Sequence, residues 1–420
     1  MQRIRWTLTV ALVAVGLVAL VGGGGAPAQA QSDLPVGVLL PFSGQYAWVG
    51  GNVMPVVQMI AEEVGETGGI DGANIRLIQG DTEGTVDAGA SAAQKLVNVD
   101  QVRALVGPTS LSFTGVKQII QDNGVPMVSP TAGTTELNEA GTRYFYRTVP
   151  SDNLGARAIA RAVTAPTEYM SRDAPFENVV LMVGQAPALI SFRDPISSAM
   201  DSFGQPLAKT VEYQTGKASY RSEVGQALDA EPDAIILVGS PEDSVRLMQN
   251  AFEAGYDGTW VVTQDQTNAD FLNLAGQLAE GIYGLQEVPS AGPERLDAFE
   301  QRLQEFAGVE AGIFATNAYD AANVLFLAML RAQLRDGEVT RDAIERNIRQ
   351  VANPGEGKTA VTDFTEGRQV LEDGGEVNYE GLVGPTDFDE YGNIAAPFGI
   401  LQAQSGEWST VSTIEADDIQ

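Results

Sequence analysis

Two groups of hydroxyl residues stand about twenty positions apart in the stretch LVGPTSLSFTGVKQIIQDNGVPMVSPTAGTTE, residues 105–136. The first holds Ser110, Ser112 and Thr114, the second Ser129, Thr131, Thr134 and Thr135. Each group follows a short apolar run and precedes a segment with helical character. Hydroxyls at such places cap helices or exchange hydrogen bonds with a small polar ligand. Trp48, in PFSGQYAW (41–48), adds an aromatic side chain in the loop after the first apolar run, with Tyr46 a weaker candidate beside it. The chain has no histidine and no cysteine. A Ser-His-Asp triad, a Cys-His pair and any imidazole or thiolate zinc site are therefore excluded. A carboxylate-pair hydrolase survives only because 55 acidic residues always include some pairs. GETGGIDG (65–72) is glycine-rich, but it ends a helical pattern instead of joining a strand to a helix, so a dinucleotide loop is rejected.

The elements that must position these residues alternate. VGVLL (36–40) leads into PFSGQYAWVGG, and Val53, Val56, Val57, Ile60, Ala61 and Val64 then recur at helical spacing. IRLIQGD (75–81), VRALVG and VPMVSP read as further strands, with helices over 87–98 and 112–122 between them. The pattern restarts with YFYRTVP (144–150) and NLGARAIARAV (153–163). NVVLMVG (178–184), DAIILVG (233–239) and TWVVTQD (259–265) are strands, and PEDSVRLMQNAFEAG (241–255) is the clearest helix among them. After GIYGLQEVP come helices near 293–306 and 315–335, then a tail of turns and strands. Strands separated by helices imply parallel sheets covered on both faces. In such sheets ligands lie beyond the carboxyl ends of the strands, where both hydroxyl groups, PFSGQYAW and TQDQ fall. Two such edges facing one another would make a cleft.

The first thirty residues read as a secretory signal: Arg3 and Arg5, an apolar run Leu8 to Val21, and APAQA ending at Ala30. The run is 14 residues, short of the ~20 that span a bilayer. About 390 residues remain (420 − 30), enough for two lobes. Their charge is 23 basic (25 − 2) against 55 acidic residues, net −32, scattered over all segments. Such self-repulsion is tolerable in strong salt, where screening acts within about 3 Å. It argues for a high-salt habitat and against nucleic acid as a partner.

GVLLPFSGQYAWVG, GGIDGANIRLIQGDTE, ALVGPTS, GVPMVSPTAGTTEL, YFYRTVPSD, NAYDAANVL and FDEYGN occur in that order. Together they make the chain, from about residue 33 to its end, resemble the type I periplasmic solute-binding proteins of the branched-chain amino acid (Leu/Ile/Val) ABC transporter family. The resemblance implies an α/β fold of two Rossmann-like lobes with parallel sheets, joined by three crossovers near 150–153, 281–287 and 380–386. It divides the chain into a signal (1–30), lobe one (31–150 and 283–382) and lobe two (151–282 and 383–420). In relatives, hydroxyls and backbone N–H groups of lobe one hold the ligand carboxylate, and an acid and aromatic residues, mostly of lobe two, hold its ammonium and side chain. Carried over, the ligand-binding set is Trp48, Ser110, Ser112, Ser129, Thr131, Thr134 and Asp265. The match is incomplete. Leu111 occupies a usual serine position, Gly133 a usual threonine position, and Ser240 the place of an aromatic residue. The acid of lobe two falls at or beside Gln264, so Asp265 takes that role. An aspartate–tyrosine–glycine signature is missing from GQAPALISFRDPI. Tyr319 and Asp320 are read as structural, and Asp81 as a turn residue.

The expected function is an exported, soluble, periplasmic binding protein of an ABC importer, closing on a small polar ligand, with an amino acid of the branched-chain class foremost. It implies a membrane permease as partner, a monomer, no cofactor, no metal and no catalysis. The alternatives are a receptor for an amide, urea or small carboxylate, and a ligand sensor for a separate signalling partner.

Overall fold

The computed structural model describes residues 33–138 and 143–419. The signal-like segment 1–30 lies outside the described residues. Five strands form the first sheet: β1 (Leu34–Leu40), β2 (Ile75–Asp81), β3 (Ala104–Val106), β4 (Met127–Ser129) and β5 (Phe145–Arg147). Their order is β2-β1-β3-β4-β5 and all pairs are parallel. Between them run α1 (Ala47–Glu66), α2 (Val86–Asn98) and α3 (Ser110–Asn123). β1 and β3 are near-continuous apolar runs because helices cover both faces of the sheet, whereas the edge strand β2 is more polar and only part-buried. On one face α1 packs with the long helix Ala315–Asp336, and Val53, Val57, Ile60, Leu325 and Met329 are fully or almost fully buried there. On the other, α2 and α3 enclose Leu39, Leu96, Leu105, Phe113 and Ile120.

The second sheet contains β6 (Val179–Gly184), β7 (Lys209–Tyr213), β8 (Ala234–Val238), β9 (Thr259–Val262) and β10 (Tyr283–Glu287). The chain then returns to the first lobe, where β11 (Lys358–Val361) and β12 (Glu376–Tyr379) pair with each other. It crosses back for β13 (Phe398–Gln404) and β14 (Glu407–Ile414), and the sheet order is β14-β13-β10-β9-β8-β6-β7. β13 runs antiparallel to both neighbours, and the remaining pairs are parallel. The helix α4 (Asp152–Thr164) covers one face of this sheet and the helix Pro241–Glu253 the other. The latter starts where local chemistry requires it: the Ser240 Oγ accepts from the Asp243 N–H at 3.3 Å and Pro241 takes the first helical position.

β10 pairs in register with β9 and β13, so Tyr283–Glu287 belongs to the second sheet and not to the returning segment of the first lobe expected at 283–382. Its alternating, turn-flanked sequence does not say which of two sheets will take it; the antiparallel partner 111 or more residues downstream does. The three crossings brace one another. Ser290 and Ala291 donate backbone N–H groups to Val383 and Leu382, at 2.9 and 3.0 Å. Asp320, fully buried, accepts from the Tyr379 hydroxyl and from the Leu382 and Val383 N–H groups, at 2.8–2.9 Å. The first crossing is pinned by Asn317, which donates to the Thr148 carbonyl at 2.8 Å and to both carboxyl oxygens of Glu287 at 3.1 and 3.0 Å. The Thr148 hydroxyl donates back to the Asn317 carbonyl at 2.7 Å.

Candidate functional site

The carboxyl ends of the two sheets face each other across a cavity of about 860 Å³ of space between atoms, mouth included. That is the scale of a small-molecule site. From the first lobe, the loop after β1 contributes Tyr46 and Trp48, the start of α3 contributes Thr109, Ser110 and Leu111, and the loop after β4 contributes Thr131 and Gly133. From the second, Phe192, Gln264, Asp265, Leu285 and Phe398 complete the wall. Asp152, at the start of α4, stands between them where the chain first crosses.

Four of the expected residues, Trp48, Ser110, Thr131 and Asp265, line this cavity. Ser112, Ser129 and Thr134 do not, and each has a nearer task. Ser129 folds the loop: its hydroxyl donates to the Pro108 carbonyl at 2.7 Å and accepts from the Thr131 and Ala132 N–H groups at 3.2 and 2.9 Å. Ser112 is fully buried against Gly89, its hydroxyl turned to the Thr109 carbonyl. Thr134 donates its backbone N–H to the Ser110 Oγ at 3.1 Å, while its own hydroxyl accepts from the Glu136 N–H at 3.3 Å. The capping expectation also shifts. α3 begins at Ser110, its cap position is Thr109, and the Thr109 side chain makes no capping bond. Its Oγ1 is buried and without a hydrogen-bond partner, although Thr109 lies on the cavity wall.

Beneath the 131–134 loop lies Arg147, wholly buried. One guanidinium nitrogen donates to the Ala132, Gly133 and Thr134 carbonyls at 3.2, 2.8 and 3.0 Å, and the other bonds Asn138 Oδ1. A buried charge must be hydrogen-bonded, and here that requirement holds the 131–134 loop in place. Burial lowers the Arg147 pKa to about 10.

The electrostatics of the cavity are acidic. Among the described residues no lysine or arginine lines it, whereas Asp152 and Asp265 both do. Both lie deep in the molecule yet keep surface open to the cavity. Burial pushes Asp265 up to about 6. Burial also pushes Asp152 up to about 7, reinforced by the charge of Asp265 and opposed by the Ser191 hydroxyl and by Arg147. Ser191 donates to Asp152 Oδ2 at 2.6 Å. Tyr46 is raised likewise, by burial and by Asp265, Asp243 and Glu242. The other side of the wall is aromatic: Trp48 stacks on Phe314 with centroids 6.2 Å apart and planes 11° from parallel. Phe314 holds φ +70°, a left-handed conformation rare for a bulky residue, just before the helix Ala315–Asp336. Asp81, read as a turn residue, accepts from the Phe42 and Glu83 N–H groups and the Ser43 hydroxyl, bracing the loop that carries Trp48.

Sequence reasoning missed Asp152, Thr109, Phe192, Phe314 and Phe398. The readable signal for Asp152 was its place directly after the first crossing, in YFYRTVPSD, a motif used only for the fold. The aromatic residues come from three distant segments and carry no local signature.

No group of acids among the described residues is arranged to hold a metal ion, and no described helix is long and apolar enough to cross a membrane. The cavity is thus a wall of hydroxyls, carboxylates and aromatic rings, suited to holding a small polar molecule with an apolar part.

Comparison with known proteins agrees with this geometry. Residues 33–407 match the family model described as periplasmic binding protein. The chain is 24% identical to the Leu/Ile/Val-binding protein homolog 3 of Brucella melitensis, over 73% of this chain and 81% of that protein. It is 25% identical to the chemotactic signal transduction system substrate-binding protein BasB of Halobacterium salinarum, over 85% of this chain and 84% of that one. The crystal structure of the leucine-binding protein LivK of Thermotoga maritima superposes with a TM-score of 0.75 at 20% identity, covering 92% of this chain and 99% of the other. With the family model matched over residues 33–407, a superposable fold and a cavity between the lobes, the chain belongs to the periplasmic binding protein family, a family of solute-binding proteins and not of enzymes.

Proposed function

We propose that this protein is an exported solute receptor that closes its two lobes on an amino acid of the branched-chain class and delivers it to the permease of an ABC importer. The observation that carries this reading is the enclosed cavity between the lobes, with hydroxyls on one jaw, Asp265 on the other and apolar rings between. Hydroxyls and the start of α3 suit a carboxylate, Asp265 suits an ammonium, and Trp48, Phe192, Leu285 and Phe398 suit an aliphatic side chain. The names of the relatives support the ligand class. In this reading the lobes exchange at residues 148–151, 288–292 and 380–397, and hinge motion there opens and closes the cleft. The receptor is a monomer, and its net charge suits a saline periplasm-like space.

The relative BasB favours a second reading, in which the closed receptor is presented to a separate signalling protein. Co-purification from the native membrane separates the two by the partner captured. The ligand reading is tested by a thermal-shift screen of the chain from residue 31, in high salt, against amino acids, amides, urea, small organic acids, sugars and compatible solutes. A ligand at 100 times its Kd adds roughly 2.7 kcal/mol. A shift with leucine, isoleucine or valine is the expected result; shifts with sugars or compatible solutes alone would refute the ligand class.

A further inference from the structure

The two lobes touch at the mouth of the cavity as well as around it. Gln45, in the loop after β1, donates from Nε2 to Glu242 Oε2 of the second lobe at 3.1 Å, across 197 positions of sequence. Both residues are exposed, and neither lines the cavity. Beside them Tyr46 is half-buried, within reach of the charges of Asp265, Asp243 and Glu242, all from the second lobe.

Each half of this contact is held by its own lobe. Asp81 accepts from the Phe42 N–H at 2.9 Å and from the Ser43 hydroxyl at 2.7 Å, and the Ala47 N–H donates to the Gly44 carbonyl at 3.3 Å. Gln45 is thus presented from a fixed turn. A Cβ on Gly84 would meet the Tyr46 ring at 3.2 Å, so that glycine leaves the ring its room. Opposite, Glu242 stands in the first turn of the helix Pro241–Glu253, where a negative charge is favoured. That turn is anchored by buried Asp243, which accepts from the Tyr220 hydroxyl at 2.6 Å and from the Gly216 N–H at 3.0 and 3.1 Å. Two groups already fixed in place lose little freedom when they bond. The choice of an amide at 45 also matters in a chain with 55 acids and 25 bases. A carboxylate there would face Glu242 and push the jaws apart. A neutral donor attracts Glu242 and is less weakened by strong salt than an ion pair would be.

We infer that Gln45 and Glu242 form a catch between the jaws, which sets the closed fraction of the receptor and thereby scales the affinity for every ligand by one common factor. This rests on the receptor reading and adds a control to it. A contact made only when the cleft is shut favours closure whatever the cavity holds. The apparent Kd is the intrinsic value divided by the fraction in the binding-competent state. The catch therefore changes affinity without changing the order of ligands, whereas a residue of the cavity wall changes the order as well.

The test reads closure and binding separately. The chain has no cysteine, so cysteines introduced at exposed Ser91 of α2 and exposed Gln249 of the helix Pro241–Glu253 carry spin labels that report the distance between the jaws. In the ligand-free protein, Gln45→Glu shifts the distance distribution to longer values and Gln45→Lys to shorter ones. Gln45→Glu combined with Glu242→Gln, which restores an amide facing a carboxylate, returns it to the starting distribution. Calorimetry with leucine, isoleucine and valine shows Gln45→Ala weakening all three by one factor, roughly two- to five-fold, the range for an exposed polar pair. Gln45→Glu weakens them further, and the ratios among the three stay as they were. Identical distance distributions in all of these proteins overturn the inference, as do unchanged affinities or the weakening of one ligand alone. The two readings fail separately. If no compound of the broad screen binds while the distances move as stated, the receptor reading falls and the catch stands. If ligands bind every variant equally and the distances do not move, the catch falls and the receptor reading stands.

Discussion

Glu287 ends β10 at the second crossing, 6% exposed. Burial, with a smaller push from the charge of Asp320, raises its pKa to about 8 against the opposing hydrogen bond from Asn317. The sign of the consequence follows from proton counting. Between its ordinary value near 4.5 and about 8, the folded protein binds the proton and the unfolded chain does not. The stability this confers is complete below pH 4.5 and drains away as pH rises through 8. Between pH 6 and pH 9 the loss is roughly 2.7 kcal/mol, from two pH units at about 1.36 kcal/mol each. Glu287→Gln keeps the shape and an oxygen for Asn317 and removes the titration. Urea unfolding of both proteins at pH 6, 7, 8 and 9 measures it, in high salt so that surface charges are screened. Asp152 titrates over part of the same range in both proteins, so it cancels in the difference. The variant should gain on the wild type by about 2.7 kcal/mol across that window. Parallel profiles would refute the buried, protonated Glu287.

Other outcomes follow from the same contacts. Arg147→Met removes the donors of three loop carbonyls at once and should cost roughly 3 kcal/mol or more, read from thermal or urea melts, with weaker ligand binding in the same protein; a change below 1 kcal/mol would show the loop is held otherwise. Trp48→Ala loses the stack on Phe314 and part of the cavity wall, and should weaken the ligand by roughly 1–2 kcal/mol in calorimetry, with no effect returning Trp48 to packing. Asp265→Asn should weaken ammonium ligands by roughly 2 kcal/mol or more while sparing those without one; unchanged affinity for every ligand would take Asp265 out of the site.

The fold was legible because its information is local and repeated. The apolar runs of β1, β6 and β8 are buried on both faces and alternate with helical patterns, which named the parallel strands but not the antiparallel β13 and β14 at one edge of the second sheet. Membership of β10 was not legible: Tyr283–Glu287 has the same pattern whichever sheet takes it, and only pairing with β13 decides. The hydroxyls were half legible. A serine or threonine at a strand end reads the same whether it lines the cavity while also bonding within the loop, as Ser110 and Thr131 do, or only braces the loop, as Ser129 does on the Pro108 carbonyl.

The Gly133–Asp152 relation explains why site residues escape when a resemblance is carried over one position at a time. Gly133 was noted as a loss, a threonine hydroxyl missing from the ligand's carboxylate end. In space the missing side chain leaves room for a neighbour. A Cβ at 133 would lie 2.0 Å from an oxygen of Asp152, nineteen positions later. Two positions therefore have to be read together before either has a meaning, and the sequence lists them in different elements. Phe314 likewise combines a left-handed backbone with a stack on Trp48, some 266 residues earlier, and neither is written in its own segment. With Asp152 present, a threonine side chain at 133 and the carboxylate would contend for one volume, so Gly133→Thr should lower stability in urea melts and the double change Gly133→Thr with Asp152→Ala should recover part of the loss; equal melts for the single and double variants would refute the steric reading.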